Sequence, residues 1–266
     1  MLRDITIGQY YQTDSVVHRL DPRVKIAATV FFIISLFVVD HPIGYAVAAL
    51  FLAFCIKLSN VPLKFMLKGM KAIIFLLLIT VIFNLFLTPG DPLVTVWKLT
   101  ITKQGLKIAV LMAVRIVFLI IGSSVMTLTT TPNNLTDGME KMMRPLRFIK
   151  VPVHEIAMMM SIALRFIPIL MEETDKIMKA QIARGADFDS GNIIKKAKSL
   201  VPLLVPLFIS AFRRANDLAM AMEARCYRGG DMRSKMKPLK YKKRDLIAYL
   251  VIFAYLGGCI ALGILL

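Results

Sequence analysis

Long apolar runs constrain this chain more than any motif in it. Val24–Val39, Ile43–Leu58, Ala72–Leu87, Ile108–Leu128 and Leu246–Leu266 hold few or no charges. A bilayer-spanning helix needs about 20 mostly apolar residues, so these runs predict about five membrane helices. The chain is 57% hydrophobic and 19% charged, whereas soluble domains carry roughly a quarter of their residues as charges. The predicted fold class is an all-α polytopic membrane protein. The opening stretch, "MLRDITIGQYYQTDSVVHRLDPRVK", is polar, without the short apolar core and small-residue cleavage site of a signal peptide. The first apolar run is therefore expected to remain as a helix, with Asp21 as its N-cap and Pro22 at its first position.

Charge orders the rest of the chain. The sequence carries 34 Lys and Arg against 17 Asp and Glu, a formal net charge of +17. Most of both kinds fall between Thr131 and Arg244. Cytoplasmic loops collect Lys and Arg, and anionic headgroups are a second use of the same charge. No interleaving of basic and aromatic residues suggests stacking on bases, so nucleic acid is set aside as a partner. The N-terminal basic residues (Arg3, Arg19, Arg23, Lys25), the second short loop (Lys57, Lys64, Lys68, Lys71) and the 131–244 segment fall on one side in a five-helix count. The expected protein is a multi-pass protein of the cell membrane with its N-terminus cytoplasmic. Three regions follow: 1–130 with four spanning helices, 131–244 as a cytoplasmic or interfacial module, and 245–266 as a last span. Between spans, the Pro/Gly-bounded segment from Pro89 to Gly105 alternates apolar and polar residues, which suggests a short hairpin or an interfacial loop. Trp97 within it suits the membrane interface.

The 131–244 module is unusual. "NNLTDGMEKMMRPLRFIK" reads as a short amphipathic helix after the start signal Thr131-Pro132. "HEIAMMMSIALRFIPILMEETDKIMKAQIARG" and "IIKKAKSLVPLLVPLFISAFRRANDLAMAMEARC" read as long helices whose charges interrupt an apolar pattern. Such helices are expected along the membrane surface or against partner proteins; a dip of Ser199–Ile209 into the bilayer is the competing reading.

Signatures of chemistry are missing from the sequence. It contains no phosphate loop, no His-Glu-x-x-His and no Gly-x-Ser-x-Gly. Cys55, Cys226 and Cys259, like His18, His41 and His154, are dispersed, so no disulfide framework, metal site or cofactor is implied. The expectation is a protein that is not itself an enzyme. Carriers driven by protons or ions place carboxylates within the membrane, and the five runs hold none away from their ends. That counts against the alternative function, a secondary carrier or channel conducting a small solute. Arg115 is the clear intramembrane charge, either on a solute pathway or paired inside the helix bundle.

One signature occurs twice: Ala180-x-x-Ala183-Arg184-Gly185, then Ala221-x-x-Ala224-Arg225-Cys226. Alanines three apart share a helix side and permit close approach. An arginine at the end of so slim a helix either enters an acidic groove of another protein or faces its own helix dipole and a headgroup. Methionine is the other clustered residue, with most of the 17 between Thr131 and Arg244. It suits adaptable surfaces as well as ordinary core filling.

The ordered pieces "HRLDPRVKI", "TTTPNNL", "ALRFIPILMEE", "AQIARGADF" and "AMEARCYRGG" resemble the transmembrane T component of energy-coupling factor (ECF) transporters, the shared vitamin-uptake type. The resemblance runs from about His18 to Arg233. It implies a subunit linking two cytoplasmic ABC-type ATPases to a membrane-embedded S component that captures a vitamin or metal. In that family two Ala-Arg-Gly signatures end the helices that dock into the ATPases. They map onto Ala183, Arg184 and Gly185, and onto Ala224, Arg225 and Cys226, where Cys replaces the family glycine. The resemblance also favours an adaptable S-component surface, placed on Met139, Met142, Met143, Met158, Met159 and Met160, that serves several exchangeable S components.

Overall fold

The computed structural model describes residues 10–39, 41–70, 73–96, 99–186, 198–229 and 238–265, with 188, 194 and 236 singly. Arg3, Lys71 and Trp97, each given a place in the sequence reading, lie outside the described residues. The chain forms α1 (Pro22–Val38), α2 (Pro42–Ser59), α3 (Leu63–Met70), α4 (Ile74–Leu87), a hairpin of β1 (Pro92–Val96) and β2 (Leu99–Thr102), α5 (Lys103–Thr129), α6 (Pro132–Met142), a 3-10 turn (Arg144–Ile149), α7 (Val153–Ala183), α8 (Val201–Ala224) and α9 (Lys243–Leu265). The fold is helical apart from the hairpin, whose antiparallel strands pair Val96 with Leu99 and Thr95 with Thr100. Contacts divide the chain into two units, one of residues 1–7 and 142–238, the other of 8–141 and 239–266.

The unit containing α1–α6 and α9 buries one main cluster: Phe32, Leu36 and Val39 from the end of α1, Tyr45, Ala48 and Leu52 from α2, and Tyr255 and Cys259 from α9. Tyr255 stacks on Phe51 with ring centroids 4.2 Å apart, and its hydroxyl meets Ser35 Oγ at 2.8 Å. A partner for the hydroxyl is what lets a tyrosine sit in such a core. Helix α5 closes the cluster by close approach: a Cβ on Gly122 would fall 2.6 Å from the Phe32 ring. At the other end, Asp21 caps α1 by accepting from Arg23 N at 2.9 Å, with Pro22 in the first turn, as the sequence predicts. Asp245, buried at the start of α9, accepts from the backbone N–H of Asp21 at 2.9 Å and of Lys242 at 2.7 Å. One carboxylate therefore ties the starts of α1 and α9 together.

Arg115 is paired inside this bundle. Its Nε donates to Tyr45 Oη at 2.8 Å and a terminal nitrogen to Val39 O at 3.2 Å, with the Phe37 ring centroid 5.4 Å from the guanidinium. Lys25, counted in sequence only as a basic flank, is buried and donates to His18 O at 3.1 Å and Thr129 O at 2.8 Å.

Among the described residues four helices can cross a bilayer by length and composition: Pro42–Ser59, Lys103–Thr129, Val153–Ala183 and Lys243–Gly263. Ile74–Leu87 is apolar but only 14 residues long. By composition α7 can also span, a capacity that its expected place along the membrane surface or against partners did not include. Its charges crowd into the C-terminal half (Glu172, Glu173, Asp175, Lys176, Lys179), which leaves an 18-residue window of mean hydropathy 1.6. A correction falls on "NNLTDGMEKMMRPLRFIK". It is not one helix: α6 stops at Met142 and a 3-10 turn follows. Pro145, which cannot donate to a continuing helix, accounts for the break.

The other unit pairs α7 with α8. Gln181 Nε2 donates to Pro202 O at 3.2 Å, while Glu173 binds Arg214 and Ser210. Later residues of α7 thus meet earlier residues of α8, so the two helices run antiparallel.

Candidate functional site

The repeated signature forms the same object twice. Helix α7 ends at Ala183, with Arg184 as C-cap at φ −89° and Gly185 beyond it at φ +88°. Gly185 N donates to Ile182 O at 2.9 Å, and Ala186 N to Gln181 O at 2.9 Å. Helix α8 ends at Ala224, with Arg225 as C-cap at φ −92° and Cys226 beyond it at φ +54°. Cys226 N donates to Glu223 O at 2.8 Å, and Tyr227 N to Met222 O at 3.0 Å. Both are Schellman ends, in which a left-handed residue reverses the chain and two backbone bonds close the last turn. The cap supplies the chemistry as well as the stop. It holds each arginine on the final turn, with the backbone turned away immediately after it.

The surroundings match too. Ala180, Ala183, Arg184 and Gly185 are exposed, and so are Ala221, Ala224, Arg225 and Cys226. Neither guanidinium makes a hydrogen bond or ion pair with the described residues. Arginine presents five donors in a rigid fork suited to carboxylates, and among the described residues both forks are open.

Antiparallel pairing spreads the two tips apart. Arg184 lies just past the Gln181–Pro202 contact, at the start of α8. Arg225 lies at that helix's far end, 23 residues beyond Pro202 by residue number, or about 35 Å at 1.5 Å per residue. Between the tips the pair is braced. Glu173 accepts from Arg214 Nε at 3.1 Å and from a terminal nitrogen at 2.6 Å, and its other oxygen accepts from Ser210. Sequence reasoning missed this brace; its signal was an acidic pair, Glu172-Glu173, and an arginine pair, Arg213-Arg214, on two helices whose pairing the sequence did not announce.

Met139 belongs to the unit of α1–α6, while Met142, Met143 and Met158–Met160 belong to the unit of α7 and α8. Met142, Met159 and Met160 are exposed, and Met139, Met143 and Met158 are half-buried. Three consecutive helical residues fan around α7 by about 100° each, so Met158–Met160 cannot share a face. A more continuous apolar stripe, overlooked in sequence, lies on α8: Val201, Leu204, Val205, Phe208 and Phe212 are exposed at helical spacing, with the Phe208 and Phe212 rings 4.7 Å apart. Its period was legible, but the apolar length of Ser199–Ile209 drew attention to a membrane dip as the competing reading.

The CbiQ family, described as cobalt transport protein, matches residues 13–238. Relatives named energy-coupling factor transporter transmembrane protein EcfT cover almost the whole chain. The one from Clostridium kluyveri is 58% identical over 252 residues, 94% of this chain and 93% of its own. That of Thermosediminibacter oceani is 53% identical over 262 residues, 98% and 97%. That of Bacillus subtilis is 45% identical over 259 residues, 96% and 98%. The chain belongs to the transmembrane components of energy-coupling factor transporters. A transmembrane component of this kind is a multi-pass membrane protein and a transporter subunit. The tips described above thus stand on a subunit whose relatives are named for coupling energy to transport.

Proposed function

We propose that this transmembrane component passes the movements of two cytoplasmic ABC-type ATPases to a membrane-embedded, substrate-binding S component, for uptake of a vitamin or another micronutrient across the cell membrane. The N-terminus and the arginine tips are placed on the cytoplasmic side. Each tip enters an acidic groove on one ATPase: Arg184 carries the charge on the first, backed by Ala183 and Gly185, and Arg225 on the second, backed by Ala224 and Cys226. The observation that carries this reading is the duplication itself. Two helix ends with the same cap, the same small flank and an unpaired fork stand about 35 Å apart on one braced helix pair. A single partner site does not call for two such ends; two like ATPase subunits do.

The S component is placed against the apolar surfaces of the same unit, the α8 stripe together with Met142, Met143 and Met158–Met160. Apolar contact tolerates exchange of one partner for another better than directional hydrogen bonding does.

The test is uptake and ATP hydrolysis by the complex purified with its native partners. Removing one member of a desolvated charge pair costs about 2–5 kcal/mol. Arg184→Ala and Arg225→Ala should each lower ATP-driven uptake or ATPase retention by at least tenfold, and the double variant should do worse. Normal uptake by a double variant of normal complex yield would sink the proposal.

A further inference from the structure

The unit of α1–α6 and α9 contains a crevice to which the proposed coupling and partner surfaces assign no role. It is a cavity of about 220 Å³ whose wall is almost entirely apolar, set among α1, α2, α5 and α9. It runs from Val24 to Phe32 along α1 and from Arg244 to Ile252 along α9, a depth of about 12 Å at 1.5 Å per residue. Lys25 touches the wall, but its ammonium is committed to the carbonyls of His18 and Thr129.

The mouth is different. Val16, Leu58 and Arg244 border both the crevice and a polar vestibule lined by Asp14, Arg19, Lys57 and Asn60. Arg19 is taken up by Asp14, which it binds through two nitrogens. Asp14 is also within electrostatic reach of Arg244, yet Lys57 and Arg244 make no hydrogen bond or ion pair with the described residues. Arg244 Nε is moreover buried without a partner. A buried N–H left unmet is uncommon and calls for an explanation, and an arginine fork is shaped for a phosphate.

We propose that this crevice is a binding site for an anionic phospholipid. Its phosphodiester sits on Arg244 and Lys57, and one acyl chain runs inward between α1 and α9 toward Phe32 and Ile252. Charge complementarity commits the site to that occupant. A neutral apolar molecule would leave the two cations unmet, and a free phosphate would leave the crevice empty. The two features share wall residues, so one molecule with a charged head and an apolar tail meets both.

The experiment is native mass spectrometry of the full-length chain released from detergent after equilibration with equal phosphatidylglycerol and phosphatidylcholine. Each cation near an anionic headgroup is worth about fivefold, so one phosphatidylglycerol should be retained about 25-fold over phosphatidylcholine. The paired change Arg244→Gln, Lys57→Gln should abolish the preference, and Arg244→Lys should keep most of it. Ala248→Phe, which fills the crevice, should lower retention of both lipids at least tenfold. If that variant melts early, the contrast between Arg244→Lys and Arg244→Gln decides alone. Equal retention of the two lipids, or a preference that survives the paired Gln change, would overturn the site. So would displacement of the lipid by glycerol phosphate at matching concentration, which would mark a free-anion site, or a second copy of the chain bound in its place.

Discussion

The two arginine tips differ at one atom group that the backbone can feel, which gives a sharp perturbation. Gly185 and Cys226 occupy the same left-handed position, at φ +88° and +54°. For any residue with a Cβ, that conformation costs about 1–2 kcal/mol relative to glycine. A Cβ built on Gly185 would meet nothing within 4 Å, so Gly185→Ala introduces backbone strain and no clash. Cys226 already bears that strain, and Cys226→Gly should remove it. Taking about 1 kcal/mol, the opening equilibrium of each helix end should shift about fivefold, in opposite directions for the two variants. Hydrogen exchange followed by mass spectrometry, on peptides covering 180–186 and 221–229, reads this directly. Gly185→Ala should speed exchange in the first peptide about fivefold, and Cys226→Gly should slow it in the second by a similar factor. In the unaltered chain the Cys226 end should fray more readily than the Gly185 end. Unchanged rates in both variants, or faster exchange in Cys226→Gly, would refute the assignment of the cap as the element that fixes the arginines.

Three other expectations follow from single contacts. Asp245→Ala strips the acceptor from two backbone N–H groups; at about 1.5–3 kcal/mol for a charged hydrogen bond, a loss of about 3 kcal/mol should appear as a lower melting temperature in detergent, and Asp245→Asn should lose less. His18 Nε2 faces the Tyr11 carbonyl at 3.0 Å and so carries the proton, leaving Nδ1 to accept from Ser15 Oγ at 2.7 Å. Burial, the main influence, holds its pKa below the usual 6.5. The unfolded chain therefore takes up the proton first, stability is full above pH 6.5 and falls as the pH drops below it, and His18→Gln should flatten the change in melting temperature between pH 7.5 and 5.5. At the proposed S-component surface, Met159→Asp should release the S component in a pull-down while both ATPases stay, because it places an unpaired charge in an apolar contact; Met159→Leu should be mild. Loss of the ATPases with the S component retained would reverse the assignment of the two surfaces.

What the sequence made legible were the features written in local pattern. Apolar runs announce the membrane class, Asp21-Pro22 announces the start of α1, and the Arg-Gly and Arg-Cys steps announce two helix ends. Lys25 and Asp245 were illegible because their partners are backbone groups far away in the chain: Thr129 O is 104 residues from Lys25, and Asp21 N is 224 from Asp245. A lysine beside an apolar run looks the same in sequence whether it flanks a membrane or is buried against two carbonyls. The spanning capacity of α7 was illegible for another reason. Periodicity averaged over the whole helix hid a division into an apolar half and a charged half, and only the first bears on its capacity to cross a bilayer. Pro145 was a local signal given too little weight beside the helical pattern around it.

The brace gives the coupling reading its mechanical sense. If the tips moved independently, a shift of one ATPase against the other would be absorbed as sliding between α7 and α8, and nothing would reach the membrane. Helix pairs with featureless apolar contacts can slide, because neighbouring registers cost nearly the same. A carboxylate that accepts from a forked arginine on one oxygen and a serine on the other does not permit that, since a shift by one turn, about 5.4 Å, would break all of its bonds at once. Glu173 lies 11 residues before Arg184, and Arg214 lies 11 residues before Arg225, so each tip has an arm of about 16 Å from the brace. Arms of matched length on a fixed pivot turn an opening or closing of the two grooves into rotation of the helix pair as one body. In the proposed reading that rotation is what the S component feels, and the small residues at the tips let it happen without the helix ends colliding with the walls of the grooves.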